Sequence, residues 1–207
     1  EDIQLTNHPR YRTPDELTEL PDYILALIWF CGTISGDAIL VRNKNAEIPE
    51  TVSRSIRSSV WRREKNRAQT VCKINSPVIC RALRDLGFSG KKDLERTPPP
   101  VGEVAFAKAF FEAHTNFGYA LQYDRRHPMN KDHAYYTPRV RFCASPAIIE
   151  QFALALAALD IAPVKLPATA ANGQSAIYQI TSRTQLEEAS RVLGPDLDGL
   201  GSHAFWE

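Results

Sequence analysis

The chain is short of most features that would classify it at a glance. It has almost no net charge: 25 Lys and Arg stand against 24 Asp and Glu, leaving +1. No global polycation announces a polyanionic partner. It has four cysteines, Cys31, Cys72, Cys80 and Cys143, and none forms a CxxC pair. That spacing excludes a zinc knuckle and favours reduced, buried thiols, the usage expected of a cytoplasmic protein. It lacks a long hydrophobic run. Tyr23 to Val41 comes nearest, but Gly32, Gly36 and Asp37 interrupt it, and the roughly dozen apolar residues left are too few to span a bilayer. The first twenty residues are polar, with Pro9 and Pro14, and do not read as a secretory signal. No membrane partner is expected.

What is present is unevenly distributed charge. Residues 42–73 carry nine Lys and Arg against three Asp and Glu, and residues 121–141 carry five against two. Residues 142–207 reverse the sign, with three against seven. A basic middle and an acidic end describe either solvated faces or a surface for an anionic partner.

The chain also repeats itself. Two apolar helices, Ile24 to Thr33 and Ala107 to Asn116, each stop at a turn and lead into a strand-like run, Asp37 to Arg42 or Phe117 to Tyr123. After each come another strand and a helix opened by Ser-Pro, at Ser76-Pro77 and Ser145-Pro146. Ser is a favoured N-cap and Pro fits the first helical position. The second copy continues with Val164 to Ala168 and Ser175 to Thr181, a hairpin across Ala171-Asn172-Gly173, and a helix from Thr184 to Leu193. The first copy has no room for that hairpin after its Ser-Pro helix and reads as truncated or altered. Gly32 and Thr115 lie 83 residues apart but the Ser-Pro caps only 69, so Ala46 to Arg67 reads as extra length, with Pro49-Glu50 opening a helix along Val52, Ile56 and Val60. Pro98-Pro99-Pro100 marks a stiff linker between the copies.

On these residues the two apolar helices resemble degenerate signature helices of the LAGLIDADG homing endonuclease family. The resemblance implies an α+β fold: pseudo-twofold αββαββα repeats forming a saddle of two antiparallel sheets, with the two signature helices side by side on the axis. It implies an N-terminal arm at 1–20, a first repeat at 21–89, a Pro-rich linker at 90–101, a second repeat at 102–195 and a tail at 196–207. Ala26 and Ala109 fall at the close-contact glycine position of the motif. The acids that hold divalent metal in the family fall on Cys31 and His114. Glu112 matches an earlier acid of the motif, where the first copy has Trp29, with Ala113 and Phe30 between. A thiol and an imidazole make a poor magnesium site, because hard cations take oxygen ligands. Asp37 lies about 15 Å along the departing strand and Glu112 is rotated by about 200° from the required position. No catalytic residue is therefore assigned.

The resemblance further implies double-stranded DNA as the partner, held on the strands and the loops at their ends. The candidate contacts are Arg42, Lys44, Arg54, Arg57, Arg62, Arg63, Lys65, Arg67, Arg125, Arg126, Lys131, Arg139 and Arg141. Arg139 and Arg141 share one strand face, with Val140 and Phe142 on the other. Trp61, Tyr135 and Tyr136 interleave with the charges, as stacking residues or loop anchors. The leading expectation is a monomeric, non-cleaving DNA-binding protein, cytoplasmic or nucleoid-associated, with no cofactor and no metal. The alternatives are a magnesium-dependent endonuclease with an atypical site, a maturase on structured RNA, and a protein-interaction module.

Overall fold

Among the described residues two helices are buried over most of their length and four bury one face, and that division dictates the architecture. A helix without a polar side must be covered on every side. In α1 (Asp22–Cys31) every residue from Ile24 to Cys31 is buried, and in α4 (Glu103–His114) so are Phe106, Ala107 and Ala109 to Glu112. The structure, a computed structural model, describes residues 20–56, 59–64, 69–89, 95–123, 134–166 and 176–193. Within it α1 and α4 pack on each other more extensively than any other pair of helices. Ala26 and Ala109 are fully buried there, as the close-approach reading requires. Phe30 stands edge-on to Phe106, Phe110 and His114 at 5.5, 5.2 and 5.7 Å between ring centroids.

Each of these helices runs into a hairpin. β1 (Gly32–Ser35) and β2 (Ala38–Asn43) pair antiparallel across Gly36-Asp37. Gly36 has φ +60°, the first-position glycine that a tight two-residue hairpin turn demands. Then come α2 (Glu47–Ile56), β3 (Ser59–Glu64), β4 (Gln69–Asn75) and α3 (Pro77–Asp85). The second half follows α4 with β5 (Asn116–Tyr123), β6 (Ala134–Ala144), α5 (Pro146–Ala157), β7 (Val164–Leu166), β8 (Ala176–Ile180) and α6 (Arg183–Leu193). The two sheets have the same order, β1-β2-β4-β3 and β5-β6-β8-β7, with every neighbouring pair antiparallel. Both halves are thus complete αββαββα units, and the α+β, pseudo-twofold expectation holds.

The expected truncation does not. The missing hairpin of the first copy lies before its Ser-Pro helix, as β3 and β4, and the segment read as extra length contains α2. Val52 and Ile56 are buried on α2 with Ile48, while Val60 belongs to β3. The two Ser-Pro devices are therefore not equivalent. Ser76 caps α3, the last helix of its half, where its Oγ accepts from Ile79 N at 3.2 Å. Ser145 precedes α5, the middle helix of its half, and its Oγ instead donates to the Arg96 carbonyl at 2.7 Å. β1 is only four residues long and continues directly from α1, which hides it in the sequence.

Helices cover one face of each sheet. Ile39, Val41, Cys72 and Ile74 of the first sheet, and Val140, Phe142 and Ile180 of the second, join one core with α1 and α4. The proline-rich connection is fastened to that core. Arg96 is 4% exposed, its guanidinium 5.8 Å from the Trp29 ring centroid and 5.1 Å from that of Phe88. Trp29 Nε1 donates to Thr97 O at 2.9 Å. The arm at 1–19, the segment 90–94, the hairpin tip Ala171-Asn172-Gly173 and the tail lie outside the described residues. No helix among the described residues is long and apolar enough to cross a membrane.

Candidate nucleic-acid interface

The ends of the two central helices are where a metal-dependent nuclease of this layout would need acids. Cys31 is 1% exposed, and Asn43 Nδ2 donates to its Sγ at 3.3 Å. His114 is half-buried, stacked on Phe110 at 5.0 Å and 18° and edge-on to Phe30. Glu112 is 6% exposed and accepts a hydrogen bond from the Tyr23 hydroxyl, which ties α4 to α1. A thiol, an imidazole and a carboxylate already engaged within the helix pair do not fit a hard divalent cation. Among the described residues no three His, Cys, Asp or Glu side chains converge on one point. What the helix ends do instead is pack, and they hand the chain directly to β1 and β5.

The caps differ in a way the sequence does not show. A Cβ on Gly32 would stand 2.3 Å from the Ile28 carbonyl oxygen, so this position cannot take a side chain without moving backbone. Its counterpart Thr115 carries one, whose hydroxyl donates to Phe111 O.

The faces turned away from the helices hold the exposed charge. In the first sheet the burial alternates so that Leu40 and Arg42 are half-buried and Lys73 exposed, between the fully buried Ile39, Val41, Cys72 and Ile74. Cross-strand register makes one row of Thr33, Leu40 and Lys73, and the next row joins Arg42 through Val71 to position 62. In the second sheet Arg139, Arg141 and Gln179 are half-buried and Cys143 is exposed, between the buried Val140, Phe142 and Ile180. The matching row there is Asn116, Arg141 and Gln179. Arg141 Nε is buried without an acceptor among the described residues.

The expected contact residues therefore divide. Arg42, Arg139 and Arg141 lie on open faces, as the alternation of residues 139–142 predicted. Arg62 and Arg63 are β3 residues opposite Val71 and Thr70. Lys44 is exposed just after β2. Arg54 is elsewhere: it stands exposed on α2, on the helix side of the first sheet, with Nη2 donating to Thr51 Oγ1 at 3.2 Å. The described residues between Asn43 and Arg67 are mostly strand and helix. Trp61 belongs to β3, and Tyr135 and Tyr136 to β6. Arg57, Lys65, Arg67, Arg125, Arg126 and Lys131 lie outside the described residues. Lys73 is exposed on the same face as Arg42 but is not among the expected contacts. The signal was available in the pattern Val71-Cys72-Lys73-Ile74-Asn75, where a charge between two apolar residues marks the outward position.

Two antiparallel sheets of order 1-2-4-3 joined along a pair of apolar helices define a class of fold, and comparison with solved structures gives it a name. The chain resembles the meganuclease I-SmaMI bound to uncleavable DNA, at 10% identity and a TM-score of 0.54, covering 81% of this chain and 79% of that one. It resembles the I-LtrWI LAGLIDADG homing endonuclease bound to target DNA, at 10% identity and a TM-score of 0.54, covering 89% and 85%. No family model and no curated protein matches the sequence. The fold of this protein is the LAGLIDADG homing endonuclease fold.

Proposed function

We propose that this protein binds double-stranded DNA on the open faces of its two sheets and does not cleave it. The observation that carries the reading is the pairing of two facts. Arg42, Lys73, Arg139 and Arg141 lie on the faces that no described helix covers, while the helix ends that would hold a metal present Cys31 and His114. The fold adds weight, since solved proteins that share it are bound to DNA. Holding a duplex without cutting it is the behaviour of a regulator that acts by occupying its site.

Phosphate neutralisation would supply most of the affinity and make it steeply salt-dependent. The test is a mobility-shift titration on duplex DNA from low to moderate salt, with Mg²⁺ and then Mn²⁺ present. A shifted, intact duplex whose affinity falls with salt supports the reading. Specific double-strand breaks would favour the endonuclease alternative, and binding confined to structured RNA would favour the maturase. Absence of binding to either at low salt would leave a protein-interaction module.

A further inference from the structure

We infer that the C-terminal end of α5 is a docking site for a partner protein's amphipathic helix, one with an apolar stripe and basic flanks. The inference goes beyond DNA binding and uses neither open sheet face.

The sequence from Phe152 to Leu159 has no polar residue. A helical segment that is apolar on every side belongs in a core, and this one is only half in it. α5 buries Ile148, Ile149, Phe152, Ala155 and Leu156 and packs on α4, β6 and β8. On its other side Leu154 is 65% exposed, Ala157 and Ala158 are exposed, and Ala153 and Leu159 are half-buried. Leu154, Ala157 and Ala158 stand three and four positions apart, so they share one side of the helix.

The other half of the molecule shows that the fold does not require this. α2 is the counterpart of α5, since each follows the first two strands of its half and packs on its own sheet. The outward residues of α2 are polar throughout: Arg54 and Ser55 are exposed, and Glu50, Thr51 and Ser53 are half-buried. An apolar patch that only one copy carries, on the side away from the core, does not serve to close that core. Exposed apolar surface of this kind marks an interaction site.

Charge and size identify the occupant. No Lys or Arg lies between Arg141 and Lys165, whereas Glu150 and Asp160, both exposed, bracket the apolar segment. That border repels nucleic acid and complements Lys or Arg. Phe152 to Ala157 spans about 9 Å of helix. A stable interface between two copies buries about 800 Å² on each, far more than so short a segment offers. The alanines let a second helix approach closely, and Leu154 between them is the side chain that would enter its groove. A single amphipathic helix laid across α5 is the occupant of that size and charge. It would sit on the side of the second sheet away from Arg139 and Arg141, so it and a duplex occupy separate surfaces.

The test is a displayed library of helical peptides about as long as α5, with Leu and Ala fixed along one stripe and the flanking positions drawn from Lys, Glu and Gln. It is panned against the full chain, and the enriched peptides are then titrated against wild type, Leu154→Gln and E150Q/D160N. Thermal melting of each variant checks that it folds, and sedimentation of the wild type and Leu154→Gln alone gives their oligomeric states. The site is supported if peptides with Lys flanks are enriched and bind Leu154→Gln about tenfold or more weakly. Their binding to E150Q/D160N should also depend less on salt. No enrichment, enrichment of Glu flanks, or unchanged binding to folded Leu154→Gln overturns the inference. So does a wild-type dimer that Leu154→Gln converts to a monomer, which would make the occupant a second copy of this chain.

Discussion

The two halves of this molecule share a backbone plan and almost none of its chemistry. One central helix ends in Cys31 and a glycine that cannot carry a side chain, the other in His114 and a threonine that bonds back to its own helix. One sheet puts its central cation at Lys73, the other at Arg141. What the halves do share is the inward alternation: Ile39 and Val41 against Val140 and Phe142, all fully buried. The lesson is that this fold requires apolar residues at the core positions and small ones where the helices meet, and leaves the helix ends and open faces free to change.

The shared core is the place to break the comparison hardest. Phe110 contacts Phe30, Phe106, His114, Phe142 and Phe152 by ring geometry. Phe110→Ala should cost about 3–5 kcal/mol, and denaturant unfolding should show both halves lost in one transition. A second, separate transition would mean the halves do not share a core. The caps come next. Gly32→Ala forces a Cβ into the Ile28 carbonyl and should destabilise by about 1–3 kcal/mol, whereas Thr115→Ala, losing one hydrogen bond, should cost about 1 kcal/mol. Equal costs would show that the two caps are interchangeable after all.

The open faces should respond in binding rather than in stability. Lys73→Glu and Arg141→Glu should each weaken duplex binding about tenfold or more, with a shallower salt dependence, and Lys73→Glu, at an exposed position, should leave unfolding within about 0.5 kcal/mol of wild type. Arg54→Glu, on the helix side, should leave binding unchanged within about twofold. If Arg54→Glu weakens binding as much as Lys73→Glu, the open-face assignment is wrong. Thiol labelling gives a smaller but direct readout. Cys143 is exposed beyond Arg141, while Cys80 is buried, and burial pushes its thiol up from the ordinary range. At mildly alkaline pH Cys143 should therefore label first, and bound duplex should protect it. Mass mapping that finds Cys143 equally reactive with and without DNA would place the duplex elsewhere.

Much of this was legible in the sequence, for identifiable reasons. The duplicated apolar helices were visible because Ile24 to Cys31 has no polar residue and Val104 to Ala113 has only Lys108 and Glu112. Arg139 and Arg141 were readable because Val140 and Phe142 alternate with them. The first half was harder. β1 has only four residues, its Gly36-Asp37 turn resembles a helix end, and β3 is so rich in arginine that its strand pattern is hidden. Two Ser-Pro pairs then invited the wrong alignment, since the same dipeptide caps α3 and fastens the connection to α5. The partner of Glu112 was beyond sequence reasoning, because Tyr23 stands 89 positions away.

One measurement reaches the central claim most directly. The protein is incubated with a randomised duplex library in Mg²⁺ or Mn²⁺, the bound fraction is separated, and both the recovered duplexes and any new ends are sequenced. The account predicts enrichment of intact duplexes with no new ends above background. Recurrent double-strand ends at one position within an enriched site would contradict it, because Cys31 and His114 would then stand in a working catalytic centre.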